Sequence, residues 1–391
     1  MAKDTYGRVL LDAASTPMDP VARQTLLAAV EAGWADPRRL YAEGRTARRL
    51  LDQATEVIAA GLGVRPAELG FTPSGPMAVR WAVDGVLQAG RRRGARLVAG
   101  AVEHSAVLVP GQHRAAQAGD DTLFATIPVD RQGRVDPAVL AEAVAVPGTV
   151  GAAVQHANGE VGTLQPLEQV HDVCRTAGIP LVVDAQASLG RVPSPTSFDV
   201  LAGDAQSWGG PGGVGVLVVP ERTRWVVPGP AGEPGHGPGG HVPWVPLALA
   251  AAEAWQQTAA QQARESEEAR VLVDRVRAAA GAIADVELAG DPLERLPHVV
   301  TFSALYVDGE ALVHEFDRRG FAVASGSACT ASTLEPSHVL AAMGLLTHGN
   351  VRITLPLRSV SPTRAQDVER FCAALPEVVA AVRERLGVER L

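Results

Sequence analysis

Val150-Gly-Ala-Ala-Val-Gln155, Ile179-Pro-Leu-Val-Val183 and Val214-Gly-Val-Leu-Val-Val219 are short, almost wholly apolar runs separated by longer stretches of helical periodicity. Runs of this kind suit strands buried on both faces, which is the condition of a parallel sheet sandwiched between helices. Working back from them, Arg96–Val98 is a fourth such strand, and the alternation of helix and strand extends from about residue 50 to 220. Further on, residues 226–243 hold so much Gly and Pro that only a loop is expected. A long Ala-rich helix is expected from about 246, helical segments to about 284, strands near 297–304 and 350–355, and an amphipathic terminal helix over 362–389. No internal repeat is visible.

A chain of 391 residues exceeds the usual single domain. The pattern divides it into a large α/β domain with a mostly parallel, seven-stranded type of sheet, residues 17–245, and a smaller α+β domain from residues 1–16 and 246–391. Apolar residues make up 47% of the sequence but aromatics only 4%, so small side chains must pack the core. A net charge of −8 argues against a nucleic-acid partner. The run Arg91-Arg92-Arg93 reads as the solvated C-terminal end of a helix, where cations complement the dipole. Cys174, Cys329 and Cys372 are widely spaced and odd in number, so neither a disulfide framework nor a metal site is indicated. With no signal-like N-terminus and no apolar run of membrane-spanning length, a cytoplasmic location is expected and a membrane partner is not.

Several motifs fall in one order along the chain: Leu11-Asp-Ala-Ala-Ser-Thr-Pro17, Val102-Glu103-His104, His156-Ala-Asn-Gly-Glu-Val-Gly162, Val183-Asp184-Ala185, Gly210-Pro-Gly-Gly-Val-Gly215 and Ser325-Gly-Ser-Ala-Cys-Thr330. Together they resemble the NifS-like cysteine desulfurases of the class V aminotransferase family, which are fold type I enzymes dependent on pyridoxal phosphate. The resemblance implies that His104 stacks on the cofactor ring and that Asp184 pairs with its pyridine nitrogen, keeping the ring an electron sink. It implies that Cys329 carries a persulfide, in a small-residue loop that gives a thiolate exposure. Arg352 would clamp the substrate carboxylate with its planar fork.

The pattern fails at the lysine. Asp204-Ala-Gln-Ser-Trp-Gly-Gly-Pro211 puts Ser207 where the family carries its aldimine lysine, and Lys3 is the single lysine among 35 basic residues. Arginine cannot stand in, because its guanidinium never loses its proton at working pH. Proton transfer worth roughly 10²–10⁴-fold goes with the lysine. Other cofactor positions are altered as well: Pro76 follows Gly75 in the phosphate loop, Asp204 replaces a serine, Gln206 a histidine, Gly159 an asparagine and Ala187 a glutamine, while 232–241 lacks the family's arginine and threonine. The expectation is therefore a pseudoenzyme of sulfur metabolism without pyridoxal phosphate, forming a homodimer and acting as partner, regulator or persulfide relay through Cys329 beside an active desulfurase or a sulfur-acceptor protein. The alternatives are an active enzyme with noncovalently held pyridoxal phosphate, and a small-molecule binding module using the vacated cleft.

Overall fold

The computed structural model describes residues 8–14, 17–33, 35–228, 236–325 and 336–387. Its centre is a seven-stranded sheet in the order β2-β8-β7-β6-β5-β3-β4. The strands are β2 (Leu69–Thr72), β3 (Arg96–Gly100), β4 (Phe124–Ile127), β5 (Thr149–Ala153), β6 (Leu181–Asp184), β7 (Val200–Asp204) and β8 (Gly215–Val218). All neighbouring pairs from β7 to β4 run parallel, whereas β8 is antiparallel to both β7 and β2. The apolar runs that mark these strands in the sequence follow from their surroundings. Leu181 and Val183 of β6 point into one core and Val182 into the other, and Val216, Val218 and Leu217 of β8 divide in the same way.

The crossovers are helices α3 (Gly75–Gly90), α4 (Ser105–Ala118), α5 (Pro137–Val144) and α6 (Leu167–Thr176). Arg91 caps the C-terminus of α3, as the basic run predicts. Ahead of the sheet come β1 (Val9–Leu10), α1 (Pro20–Glu31) and α2 (Ala42–Leu62). Parallel strands joined by crossovers leave a crevice beyond their C-terminal ends, which is where ligands bind in such sheets.

The rest of the chain adds α7 (Val245–Ala259), α8 (Gln262–Gly281), β9 (Val286–Leu288), β10 (Val299–Ala304), α9 (Gly309–Arg318), β11 (Phe321–Ala322), α10 (His338–Ala342), β12 (Asn350–Thr354) and α11 (Arg364–Arg385). Strands β12, β10 and β9 form an antiparallel sheet, and β1 pairs with β11. A second core gathers Val9 and Leu11 with Leu272, Val276, Phe302, Ile353 and Phe371. Helix α7 belongs to the first core, through Val245, Ala248, Ala251 and Trp255. The expected boundary at 245/246 therefore cuts α7 away from the core in which it packs.

Within the second core, the stacked rings of Phe316 and Phe371, 5.0 Å apart, bring α9 against α11. Beside them the buried carboxylate of Glu315 accepts from Arg318 (2.7 Å), Arg319 (2.9 Å) and Arg385. The Arg318 hydrogen bond leads in depressing its pKa to about 2. A depressed carboxylate gives stability that is full above the unfolded pKa, about 4.3, and is lost as pH falls through the folded value. Because Arg318 and Arg385 are themselves largely exposed, about 1–2 kcal/mol is expected. Urea titrations of Glu315→Gln should show that loss at pH 7 and a shallower decline in stability between pH 4.5 and 2 than the unchanged chain shows.

Candidate functional site

The ends of β3, β6 and β7 face the crevice. After β3 the chain turns so that His104 caps α4, its Nδ1 accepting from Ala106 N at 3.0 Å. Strand β6 ends on Asp184, only 6% exposed, whose Oδ1 and Oδ2 accept from the backbone and side-chain nitrogens of Gln186, each at 2.9 Å. Burial raises the Asp184 carboxyl, and the neighbouring His104 pulls it the other way. Strand β7 ends on Asp204, whose Oδ1 accepts from Gln206 N at 2.9 Å and whose Oδ2 accepts from Gly75 N at 2.7 Å. Burial raises Asp204 too, against those two hydrogen bonds.

Gly75 opens α3, so the bond to Asp204 joins a strand end to a helix N-terminus 129 residues away. Pro76 follows and carries no N–H. A Cβ on Gly75 would lie 2.4 Å from Gln186 Oε1 and 2.7 Å from Asp204 Oδ2, so this corner of the crevice is filled by those two side chains. Gly159 and Ala187 face one another: a Cβ on Gly159 would meet Ala187 Cβ at 3.4 Å. Two altered positions thus lie side by side.

Ser207 sits in the short turn after β7. Its Oγ lies 3.0 Å from Leu189 O and 2.9 Å from Asp204 O, sharing one proton between two carbonyls. Its own carbonyl accepts from Arg191 Nε at 2.6 Å. This hydroxyl is a structural tie and offers no amine.

Several groups that the motifs did not single out complete the site. Glu103 is fully buried, accepts from Gln155 N at 3.0 Å and is pushed well above the usual carboxylate range by burial. It stands in the Val-Glu-His motif, next to His104. His156 bonds Ser188 Oγ at 2.9 Å, and burial lowers it to about 4, so it is neutral. Arg352 on β12 lies 3.5 Å from Asp12 and acts electrostatically on Glu160, a carboxyl that burial raises to about 7 and that accepts from Ser337 Oγ at 2.6 Å. Arg352 stands apart from the Asp184–Asp204 corner in the hydrogen-bond network, on the second sheet. Cys329 lies outside the described residues. Burial pushes Cys174 up to about 12 and raises Cys372, so neither is a ready thiolate.

The class V aminotransferase profile matches residues 8–230 and 241–371. The chain belongs to that family. It is 31% identical over 385 residues to the cysteine desulfurase IscS of Dictyoglomus turgidum, covering 96% of this chain and 95% of that protein. It is 33% identical over 386 residues to an IscS-like cysteine desulfurase of Mycobacterium tuberculosis, covering 95% and 96%. Among solved structures, a NifS-like protein superposes with a TM-score of 0.84 at 22% identity over 96% of this chain and all of that one, which shows the shared fold. DndA of Streptomyces lividans gives 0.73 at 27% identity over 88% of this chain and 98% of that one. The class V member described here therefore has the fold type I architecture and a cysteine desulfurase-like character.

Membership overturns one expectation. A chain without cofactor does not stand, because the family works through pyridoxal phosphate and the match runs through every strand end of the crevice. The residues fit that group at its ring: Asp184 keeps lone pairs free on a buried carboxylate, and His104 stands close enough to act on it electrostatically. At its phosphate they do not fit as arranged, since Gly75 N–H is already bonded to Asp204 and Pro76 has none to give. No helix among the described residues is long and apolar enough to cross a membrane, and no cluster among them could hold a metal.

Proposed function

We propose that this chain serves sulfur metabolism as a cysteine desulfurase-type protein that accepts and passes on persulfide sulfur instead of drawing it from free cysteine. The observation that carries the reading is Ser207: where the chemistry calls for an amine, the chain has a hydroxyl committed to two carbonyls. The reading turns on that missing amine and not on the cofactor. In the transfer, the thiolate of Cys329 attacks the outer sulfur of a donor persulfide, a new S–S bond forms, and the donor cysteine leaves as thiolate. The donor is an active cysteine desulfurase and the recipient a sulfur-acceptor protein. A cytoplasmic homodimer is the form proposed.

A second reading is favoured by the retained ring end, Asp184 with His104. In it the chain is an enzyme that holds pyridoxal phosphate without a covalent link, and the bound group supplies an electron sink. Asp184 would hold the ring nitrogen protonated, and His104 would lie against the ring.

One experiment separates them. The protein is incubated with an active cysteine desulfurase and cysteine, and persulfide is mapped by mass spectrometry, with Cys329→Ser as control. Uptake confined to Cys329 and abolished by the substitution is the expected result. Equal uptake after substitution, or none, refutes the relay. Sulfide released from cysteine by the protein alone, supplied with pyridoxal phosphate, establishes the second reading instead.

A further inference from the structure

Every N–H at the start of α3 has a partner or does not exist. Gly75 N donates to Asp204, Pro76 has no proton, Met77 N donates to Ser74 Oγ at 3.3 Å, and Ala78 N to Ser74 O at 3.0 Å. The N-terminus of a sixteen-residue helix is a natural seat for an anion, through its free amides and the positive end of its dipole. Here the seat has a tenant from within the chain. Asp204 reaches it from the end of β7, and the space in front of Gly75 is occupied by Asp204 and Gln186. Asp204 is not a capping residue of α3 by sequence, since Ser74 already caps it. Its carboxylate is an additional acceptor delivered by the sheet.

We propose that Asp204 is an internal anion that sets the affinity of this crevice for phosphate-bearing ligands: a phosphate monoester on an aromatic ring enters only when the Asp204 carboxylate leaves Gly75 N–H, while the same ring without its phosphate meets no such barrier. The proposal rests on the reading that the ring end of the site, Asp184 with His104, is retained. Two effects act in one direction. A departing carboxylate must leave its short amide bond, and if it stays nearby it repels the incoming dianion across a few ångströms of partly buried space. Residue 204 therefore decides phosphate against no phosphate, and Asp184 decides ring against no ring.

Pyridoxine phosphate and pyridoxine are suitable probes, because they lack the aldehyde that would react with Lys3 or the chain terminus. Their binding to the unchanged protein, to Asp204→Asn and to Asp204→Ser is measured calorimetrically. Asparagine keeps an oxygen for Gly75 N–H without the charge, which preserves the local fold, and serine removes the side chain from the seat. Both substitutions are expected to tighten pyridoxine phosphate by at least about 10-fold, a difference corresponding to about 1.4 kcal/mol. Pyridoxine should change by less than about 3-fold. Inorganic phosphate should raise the melting temperature of Asp204→Ser and leave that of the unchanged protein where it is. An unaltered ratio of the two ring affinities, together with no new protection by phosphate, overturns the role of Asp204. Failure of pyridoxine to bind any of the three proteins overturns the retained ring site and the proposal with it, and leaves the persulfide test to stand or fall by itself.

Discussion

Replacing Trp208 by alanine is expected to destabilise the protein by about 3–5 kcal/mol, the range for truncating a large buried ring that leaves a cavity. Trp208 is completely buried, and its indole nitrogen donates to Ala251 O at 3.0 Å on α7. Its ring meets Trp255 edge-on with centroids 5.0 Å apart. Gly190, at a φ of 75°, passes so close that a Cβ there would sit 2.5 Å from Trp208 Cβ. A backbone fitted that tightly cannot collapse into the vacated volume. Trp208 is also the residue after Ser207, and its carbonyl accepts from Thr258 Oγ1 at 2.8 Å, so the ring pins the turn that carries the altered lysine position to α7. The loss should appear as a lower urea midpoint by circular dichroism. Trp208→Phe, which retains a ring and gives up the hydrogen bond, should lose clearly less.

The strands of the large sheet are legible because burial on both faces leaves uninterrupted apolar runs: Val150–Gln155, Ile179–Val183 and Val214–Val219 lie on β5, β6 and β8 to within two residues. Their directions are not. Nothing in Val214–Val219 distinguishes an antiparallel strand from its parallel neighbours, since direction is set by the connection from β7, here residues 205–214 with a single short 3₁₀ turn and no crossover helix. Helix α7 was visible as an Ala-rich helix, but its allegiance to the first core depends on Trp255 and on the face that α1 and α2 leave for it. The candidate residues at strand ends, His104 and Asp184, fall in motifs. The Asp204–Gly75 bond could not, because a contact across 129 residues is decided by which strands lie side by side. Gln186 and Arg191 carry no signal in the sequence for the same reason, being ordinary polar residues until the sheet brings Gly75 and Ser207 to them.

Glu265→Ala is expected to cost about 3 kcal/mol, because it leaves buried positive charge without its nearest counter-charge. Arg364 at the start of α11 and Arg191 in the segment after β6 are each only 3% exposed. Glu265 on α8 accepts from both guanidinium nitrogens of Arg364, one of them at 3.1 Å, while Arg364 also donates to Pro356 O at 2.8 Å. Burial lowers Arg191 to about 10, with Glu265 favouring its charge and Arg364 opposing it. His298 lies in the same cluster and is held well below its ordinary value by burial and then by the two arginines, so it adds no further positive charge. Glu265 is therefore the carboxylate that acts on both buried guanidiniums, with Glu268 adding only a longer contact to Arg364 at 3.6 Å, and removing Glu265 leaves the two like charges facing each other in a low dielectric with that distant counter-charge alone. The cluster ties α8 and α11 to the site, because Arg191 Nε holds the Ser207 carbonyl at 2.6 Å. If charge is the cause, deleting one of the cations should recover part of the loss. Glu265→Ala with Arg364→Met should be more stable than Glu265→Ala alone, with a coupling of about 1–3 kcal/mol in urea titrations. Equal or additive losses in the two proteins would assign the effect of Glu265 to packing. Should the recovery appear, Arg191 is the cation that remains, and the turn carrying Ser207 keeps its anchor through a charge that the rest of the cluster exists to balance.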